Sequence, residues 1–406
     1  MSTDAKKRGG GWIESAERAL SSSVDVDLAV CFVSEGDSEK LERQGVVYYP
    51  VRNPNDSSIW IRVKKAWHAF IGKYDYAVEE STWKYHIAAY MDVVKDFKPD
   101  IIHVWGTEKY FGLIAKYTEV PVVLHIQGLL NPYYSVLLPP AVSWSEFEGS
   151  CLNLKRWFDN RMYHYTWEMA CHREQEIVSG LKYYMGRTEW DKRVSSIMNP
   201  QSEYMYCGEF LREEFYNVGE RRIPENLVIV STISRPLYKG VDLILRTAKV
   251  LKEDMHLSFN WKCFGVSEAP IPEKITGIRP NDVNVKFCGV ASASELITEE
   301  LSATLYFHSS YIENSPNSVC EAQMLGLPVI CTNVGGTSSL VQDGVDGFLV
   351  PANDPYQSAY LISKLYSDMD LNMEIGSNAR ATANRRHNKD VVLNQLRMVY
   401  DKLAER

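Results

Sequence analysis

The feature that most constrains this chain is a rhythm. Short apolar runs rich in β-branched residues alternate with longer helical patterns. In the first half the runs are Asp27–Val33, Val46–Val51, Ile101–Trp105 and Val122–Ile126. In the second half they are Leu227–Ile233, Ser258–Phe264, Val283–Phe287, Thr304–His308 and Pro328–Thr332. Helical patterns such as Gly240–Lys252 and Tyr356–Ser367 lie between them. Near-continuous apolar strands alternating with helices imply parallel sheets covered on both faces. A chain of 406 residues exceeds one ordinary core, and the rhythm runs once on each side of about residue 210. The expected fold is therefore α/β, with two Rossmann-like domains facing each other across a cleft. The first is expected over residues 1–208 and the second over 209–385, with a last helix at about 386–406 packing back on the first. Glu209–Glu225 reads as the connecting segment. In open sheets of this kind a ligand sits at the carboxyl ends of the strands, so a substrate is expected between the domains.

Composition narrows the class. The chain is 45% apolar and 24% charged, which is globular, and its net charge of -8 argues against nucleic acid as a partner. Eight cysteines are scattered without a C-x-x-C pair, and the first residues contain no apolar stretch of signal-peptide kind. No run approaches the roughly 20 apolar residues needed to span a bilayer. The reading is a cytoplasmic enzyme with reduced thiols. One stretch, Leu129–Ile177, breaks the rhythm and is dense in aromatics, among them Tyr133, Trp144, Trp157 and Trp167. Packing on the domain is the plain account of it. An acceptor-binding lip or a surface resting on the inner face of a membrane is the sharper one.

The most informative segment is Tyr311-Ile-Glu313-Asn-Ser-Pro-Asn-Ser-Val-Cys-Glu321, which follows a strand and opens a helix. Ser315 reads as the N-cap, Pro316 as the first helical residue, and Gly326 with Pro328 as the stop. A helix start at a strand's carboxyl end offers free N–H groups and a positive dipole end to an anion. Glu313 and Glu321 bracket that start, and a carboxylate can accept hydrogen bonds from a pair of sugar hydroxyls. An isolated E-x7-E would more often be solvated surface. Its position at a strand–helix junction favours a site. Arg235 and Lys239, in Ile233-Ser-Arg-Pro-Leu-Tyr-Lys-Gly240, sit at a second such junction and can neutralise a diphosphate.

The E-x7-E helix, Leu327-Pro-Val-Ile-Cys-Thr-Asn-Val-Gly335-Gly336 and Asp343-Gly-Val-Asp-Gly347-Phe together resemble glycosyltransferase family 4. That resemblance, dense from Val228 to about Arg380, implies the GT-B fold and a retaining, metal-independent transferase without a cofactor. It implies that Glu313 contacts the transferred sugar and Glu321 the nucleotide ribose. The helix start at Asn317, Ser318 and Val319 would face the diphosphate, and Arg235 and Lys239 would stabilise the leaving group. Where the family usually has Gly-Phe-Gly, this chain has Asn314-Ser315-Pro316, and proline removes one N–H. Arg235 lies one residue closer to the lysine than is usual.

The resemblance also gives a role to Gly9-Gly10-Gly11, as a loop facing the donor phosphate and the acceptor, and to His125, as a wall of the donor-sugar pocket. His125 is favoured over His103, which ends the preceding strand. The family's glycine loop follows a first strand, whereas Met1–Arg8 contains no β-branched run and is expected to form no central strand. Neighbouring strands would then be left partly uncovered, and an apolar segment upstream of the loop would restore them.

The expected partners are a UDP- or GDP-type sugar and a carbohydrate or lipid-linked acceptor, with peripheral membrane association. The expected product is a surface polysaccharide or glycolipid. A nucleotide-sugar epimerase of the same fold and a non-catalytic nucleotide-sugar binding protein are the alternatives.

Overall fold

The computed structural model of the chain describes residues 11–22, 26–34, 39–52, 59–140, 142–149, 153–235 and 237–405, with only the backbone at Trp12. Its first half contains α1 (Gly11–Ser21), β1 (Leu28–Ser34), β2 (Leu41–Arg43), β3 (Val46–Arg52), α2 (Ile59–Ile71) and α3 (Tyr76–Phe97). Next come β4 (Ile102–Trp105), β5 (Val122–His125), α4 (Leu130–Ser135), α5 (Trp144–Gly149) and α6 (Leu154–Gly180). This half ends with β6 (Tyr183–Gly186), α7 (Glu189–Met198) and β7 (Glu203–Tyr206).

The second half runs β8 (Leu227–Thr232), α8 (Val241–Lys249), β9 (Phe259–Phe264), α9 (Pro270–Thr276), β10 (Val285–Gly289) and α10 (Ala293–Leu301). It continues with β11 (Leu305–His308), α11 (Asn317–Met324), β12 (Val329–Thr332) and β13 (Phe348–Val350). Three helices close the chain, α12 (Pro355–Ser367), α13 (Met369–Arg386) and α14 (Lys389–Ala404).

The second-half sheet is wholly parallel, in the order β10-β9-β8-β11-β12-β13. Its direction of winding reverses between β8 and β11, which is where an open α/β sheet leaves a crevice at its carboxyl edge. Both faces are covered. Leu227, Ile229, Trp261 and Phe307 pack with α8 and α12 on one side, while Val230, Tyr306 and Val329 pack with α11 on the other. Complete burial of a side chain such as Phe307 stabilises by about 1.5–3 kcal/mol.

The first half departs from a single continuous sheet. It holds a three-stranded sheet, β1-β3-β2, and a four-stranded parallel sheet, β4-β5-β6-β7. Among the described residues β1 pairs only with β3, and β4 only with β5. Both sheets nevertheless share one core, since Cys31 of β1, Val51 of β3 and Val104 of β4 pack with Trp83, Ile87 and Tyr90 of α3. Phe32 of β1 is 39% exposed. Met1–Arg8, expected to form no strand, lies outside the described residues. The opposite face of β5 and β6 is covered by α14, whose Val392, Leu396 and Val399 meet Val123, Tyr183 and Met185.

Each of the nine expected strands is present to within two residues of its expected bounds. β6 and β7, spelled Tyr-Tyr-Met-Gly and Glu-Tyr-Met-Tyr, carry no β-branched residue and gave no strand signal. The aromatics after β5 follow the plain account in large part. Tyr133, Tyr134, Trp144 and Tyr163 pack around Leu130, Leu137 and Trp167.

Candidate active site

Two loops meet at the crevice between β8 and β11. After β8 the chain turns through Leu237–Gly240 into α8, and after β11 it runs from Ser309 to Pro316 into α11. They are joined directly: Tyr311 N–H donates to Tyr238 C=O at 2.8 Å, and Ser309 Oγ–H to Lys239 C=O at 2.6 Å. Gly240, at φ 68°, permits this approach, because a Cβ there would stand 2.0 Å from Ser309 O.

This contact sets Lys239 on Glu313. The Lys239 ammonium donates to Glu313 Oε1, as do Ser310 Oγ at 2.6 Å and His308 Nε2 at 3.1 Å. All three donors converge on Oε1, and Oε2 takes no hydrogen bond from a described residue. Burial alone would raise the Glu313 carboxyl, but Lys239 and His308 outweigh it and hold the group at about 2. Burial alone would lower Lys239, yet Glu313 and Tyr238 raise it. The pair is ionised throughout the neutral range. Both groups are mostly buried, with side chains 12% and 6% exposed. Gly335 and Gly336 of the loop after β12 back this segment, and Gly336 N–H donates to Glu313 C=O at 2.9 Å.

The helix start is one residue later than expected: Pro316 is the N-cap of α11 and Asn317 its first residue. Ser315 therefore caps nothing. The N–H groups of Asn317 and Ser318 find no acceptor among the described residues, whereas that of Val319 is taken by Pro316 C=O at 3.0 Å. Val319 is thus not an available donor, a correction to its expected place in an anion site. Proline at the cap forfeits no intrahelical bond, because its nitrogen precedes the first turn.

One turn into α11, Glu321 is held by a bidentate pair from Arg212, Nε to Oε1 at 2.6 Å and Nη2 to Oε2 at 2.7 Å. Burial pushes its carboxyl up, and Arg212 opposes that. Each carboxylate oxygen keeps a second lone pair, so a vicinal diol can still donate to it. Gly11 opens α1 against the same arginine, where a Cβ would meet Arg212 Cγ at 2.8 Å. Gly9 and Gly10 lie outside the described residues.

The facing domain contributes Tyr133, from the aromatic stretch, and Thr188, which the sequence did not mark as part of a site. Tyr133 Oη accepts from Asn314 N–H at 2.9 Å, Thr188 Oγ1 donates to Asn314 Oδ1 at 3.0 Å, and Asn314 Nδ2 donates to Ile126 C=O at 3.3 Å. Asn314, where the family pattern has glycine, therefore ties the two domains together beside Glu313. Arg187 Nη2 lies 3.0 Å from Glu209 Oε2, off the hydrogen-bond line, and both side chains are buried. Burial raises Glu209 to about 7 against the opposing charge of Arg187. Thr188 had a legible signal, the capping box Thr188-Glu-Trp-Asp191 that opens α7.

His125 ends β5 as expected and is 1% exposed, stacked on Trp105 at 4.6 Å and on His103 at 5.4 Å. Neither of its ring nitrogens has a partner among the described residues, whereas His103 Nδ1 meets Tyr400 Oη at 2.7 Å. Burial, with help from His103 and Arg187, holds His125 well below its ordinary value, so the ring is neutral. Arg235 is exposed.

Residues 217–382 match the family model described as Glycosyl transferases group 1. The capsular polysaccharide biosynthesis glycosyltransferase CapM of Staphylococcus aureus is 30% identical over 122 residues, which are 30% of this chain and 31% of CapM. The match thus spans about a third of that relative. Across nearly the whole chain the fold resembles sucrose-phosphate synthase from Thermosynechococcus elongatus, with a TM-score of 0.71 at 16% identity over 97% of this chain and 94% of that one. It also resembles Anabaena HepE in complex with UDP-glucose, with a TM-score of 0.59 at 14% identity over 98% of each chain. The fold is GT-B, and its second half carries the group 1 glycosyltransferase pattern.

Proposed function

We propose that the chain is a retaining glycosyltransferase that moves a hexosyl unit from a UDP- or GDP-type sugar to a carbohydrate or lipid-linked acceptor, in the synthesis of a surface polysaccharide or glycolipid. The two units divide at residues 208 and 209, with α14 returning to the first. The observation that carries the reading is at Glu313: three donors hold Oε1, and Oε2 is left to accept from a sugar hydroxyl. Beside it, the unclaimed N–H groups of Asn317 and Ser318 and the positive end of α11 suit a diphosphate. Arg235 reaches the same diphosphate, and Glu321 grips the ribose. His125, neutral and unpartnered among the described residues, offers one hydrogen bond to the donor sugar.

The anomeric C–O bond breaks with its electron pair going to the diphosphate, whose growing charge meets Lys239, Arg235 and the helix start. The acceptor hydroxyl attacks from the same face, and its proton passes to the departing phosphate oxygen. Closure of the domains excludes water and suppresses donor hydrolysis. The reading is supported by the group 1 match and by the UDP-glucose complex of the similarly folded HepE.

The test is turnover of a panel of nucleotide sugars with carbohydrate and lipid-linked acceptors, with the anomeric configuration of the product read by NMR. A product with the donor's configuration is expected. An inverted product, or an epimerised nucleotide sugar formed without acceptor, would exclude this function.

A further inference from the structure

Outside the cleft, the surface of the first half carries an apolar stripe that no described residue covers. Ile59, Trp60, Val63, Trp67 and Phe70 lie on one arc of α2 and are between 51% and 77% exposed. They are not core residues turned the wrong way, because α2 already has a bound inner face. Ala69 is buried, its C=O accepts from Arg161 Nε at 2.9 Å, and Lys65 pairs with Glu79 at 3.2 Å. The stripe continues onto the first turn of α6. Trp67 stacks on Phe70 at 6.0 Å, Phe70 meets Trp157 edge-on at 5.8 Å, and Leu154 beside it is 84% exposed.

Cations flank this stripe. Arg62 and Lys64 stand on either side of the arc on α2, and Lys155 and Arg156 open α6, all exposed. None of the four pairs with a carboxylate among the described residues, and neither α2 nor Leu154–Phe158 contains an acidic residue. The chain as a whole has 52 acidic against 44 basic residues, so this face is opposite in sign to the rest. Exposed tryptophan and phenylalanine bordered by lysine and arginine are the composition of a helix that lies in a membrane interface.

We infer that α2 and the first turn of α6 seat the protein on an anionic bilayer surface, with Trp60, Val63, Trp67, Phe70 and Leu154 entering the interface and the four cations meeting lipid phosphates. A second copy of the chain is a poorer occupant. A two-fold contact through this face would set Arg62, Lys64, Lys155 and Arg156 against their own counterparts. The inference does not depend on the transferase reading, since bilayer binding requires no sugar donor.

The test is co-sedimentation of the full chain with phosphatidylcholine vesicles, with and without phosphatidylglycerol, in the absence of nucleotide sugar. The chain is expected to pellet with the anionic vesicles and to be released by salt. Each Lys or Arg near such a surface contributes about fivefold in affinity, so R62Q/K64Q should weaken binding about 25-fold. W60E/W67E should abolish it, and both variants should keep the wild-type Tm because every altered side chain is exposed. Three results overturn the inference: no pelleting with anionic vesicles, undiminished pelleting of W60E/W67E, or a solution dimer that these substitutions dissociate.

Discussion

Removing one member of the Lys239–Glu313 pair should damage the protein in two ways that a double substitution separates. In Lys239→Ala the Glu313 carboxylate keeps His308 and Ser310 as donors but loses its ammonium countercharge. A buried charge left without its partner costs about 3–5 kcal/mol. With the lysine side chain still 12% exposed, the lower end, about 3 kcal/mol, is expected. For a domain of this size that is a fall in Tm of about 10 °C. Glu313→Gln should cost a similar amount by stranding the ammonium. In Lys239→Met/Glu313→Gln neither charge remains, and stability should return to within about 1 kcal/mol of wild type. Turnover should be lost in all three, because the diphosphate and the donor sugar lose the groups assigned to them. Calorimetry paired with a radiolabelled transfer assay reads both effects. Single substitutions costing under about 1 kcal/mol would refute the buried-pair argument. A double variant that still transfers sugar would remove the pair from the chemistry.

Three further outcomes follow from the same geometry. Arg235→Ala, at an exposed position, should change stability by less than about 0.5 kcal/mol while lowering kcat by about 10²–10³-fold; an unchanged kcat takes Arg235 out of the site. Turnover should survive EDTA, since Asp368 of Asp368-Met-Asp370 caps α13 by accepting from Leu371 N–H at 2.9 Å rather than facing the cleft. Loss on chelation that Mn²⁺ or Mg²⁺ restores would contradict this. Glu209, raised by burial from 4.5 to about 7, favours the folded state when protonated, so its contribution is full below pH 4.5 and lost as pH rises through 7. The Tm of wild type should therefore fall relative to Glu209→Gln between about pH 5 and 8, and a flat difference would reject the shift.

Much of this site was legible because its signals are local. Glu313, Lys239 and Glu321 stand at strand–helix junctions, and a junction is readable from apolar rhythm, a helix start and a glycine. The same rhythm gave the second-half sheet, where β8 and β12 are runs rich in β-branched residues. What was missed lacks such a signal. His308 reads only as the last residue of a strand, and nothing local says that its ring turns to Glu313. Arg187, Glu209 and Arg212 lie far from α11 in the chain, and nothing local shows that Arg187 pairs with Glu209 or Arg212 with Glu321. The one-residue error at Pro316 arose because serine is a good N-cap and proline a good first residue, yet here the proline takes the cap position itself.

The central claim is that a nucleotide sugar binds with its diphosphate on the start of α11 and its sugar on Glu313. Co-crystallisation with UDP- and GDP-sugars tests it most directly. The account predicts diphosphate density within hydrogen-bond distance of the N–H groups of Asn317 and Ser318 and of the Arg235 guanidinium. It also predicts a sugar hydroxyl on Glu313 Oε2 and the ribose on Glu321. A donor bound elsewhere, or one whose diphosphate stands away from α11 with Glu313 Oε2 left to solvent, would contradict it.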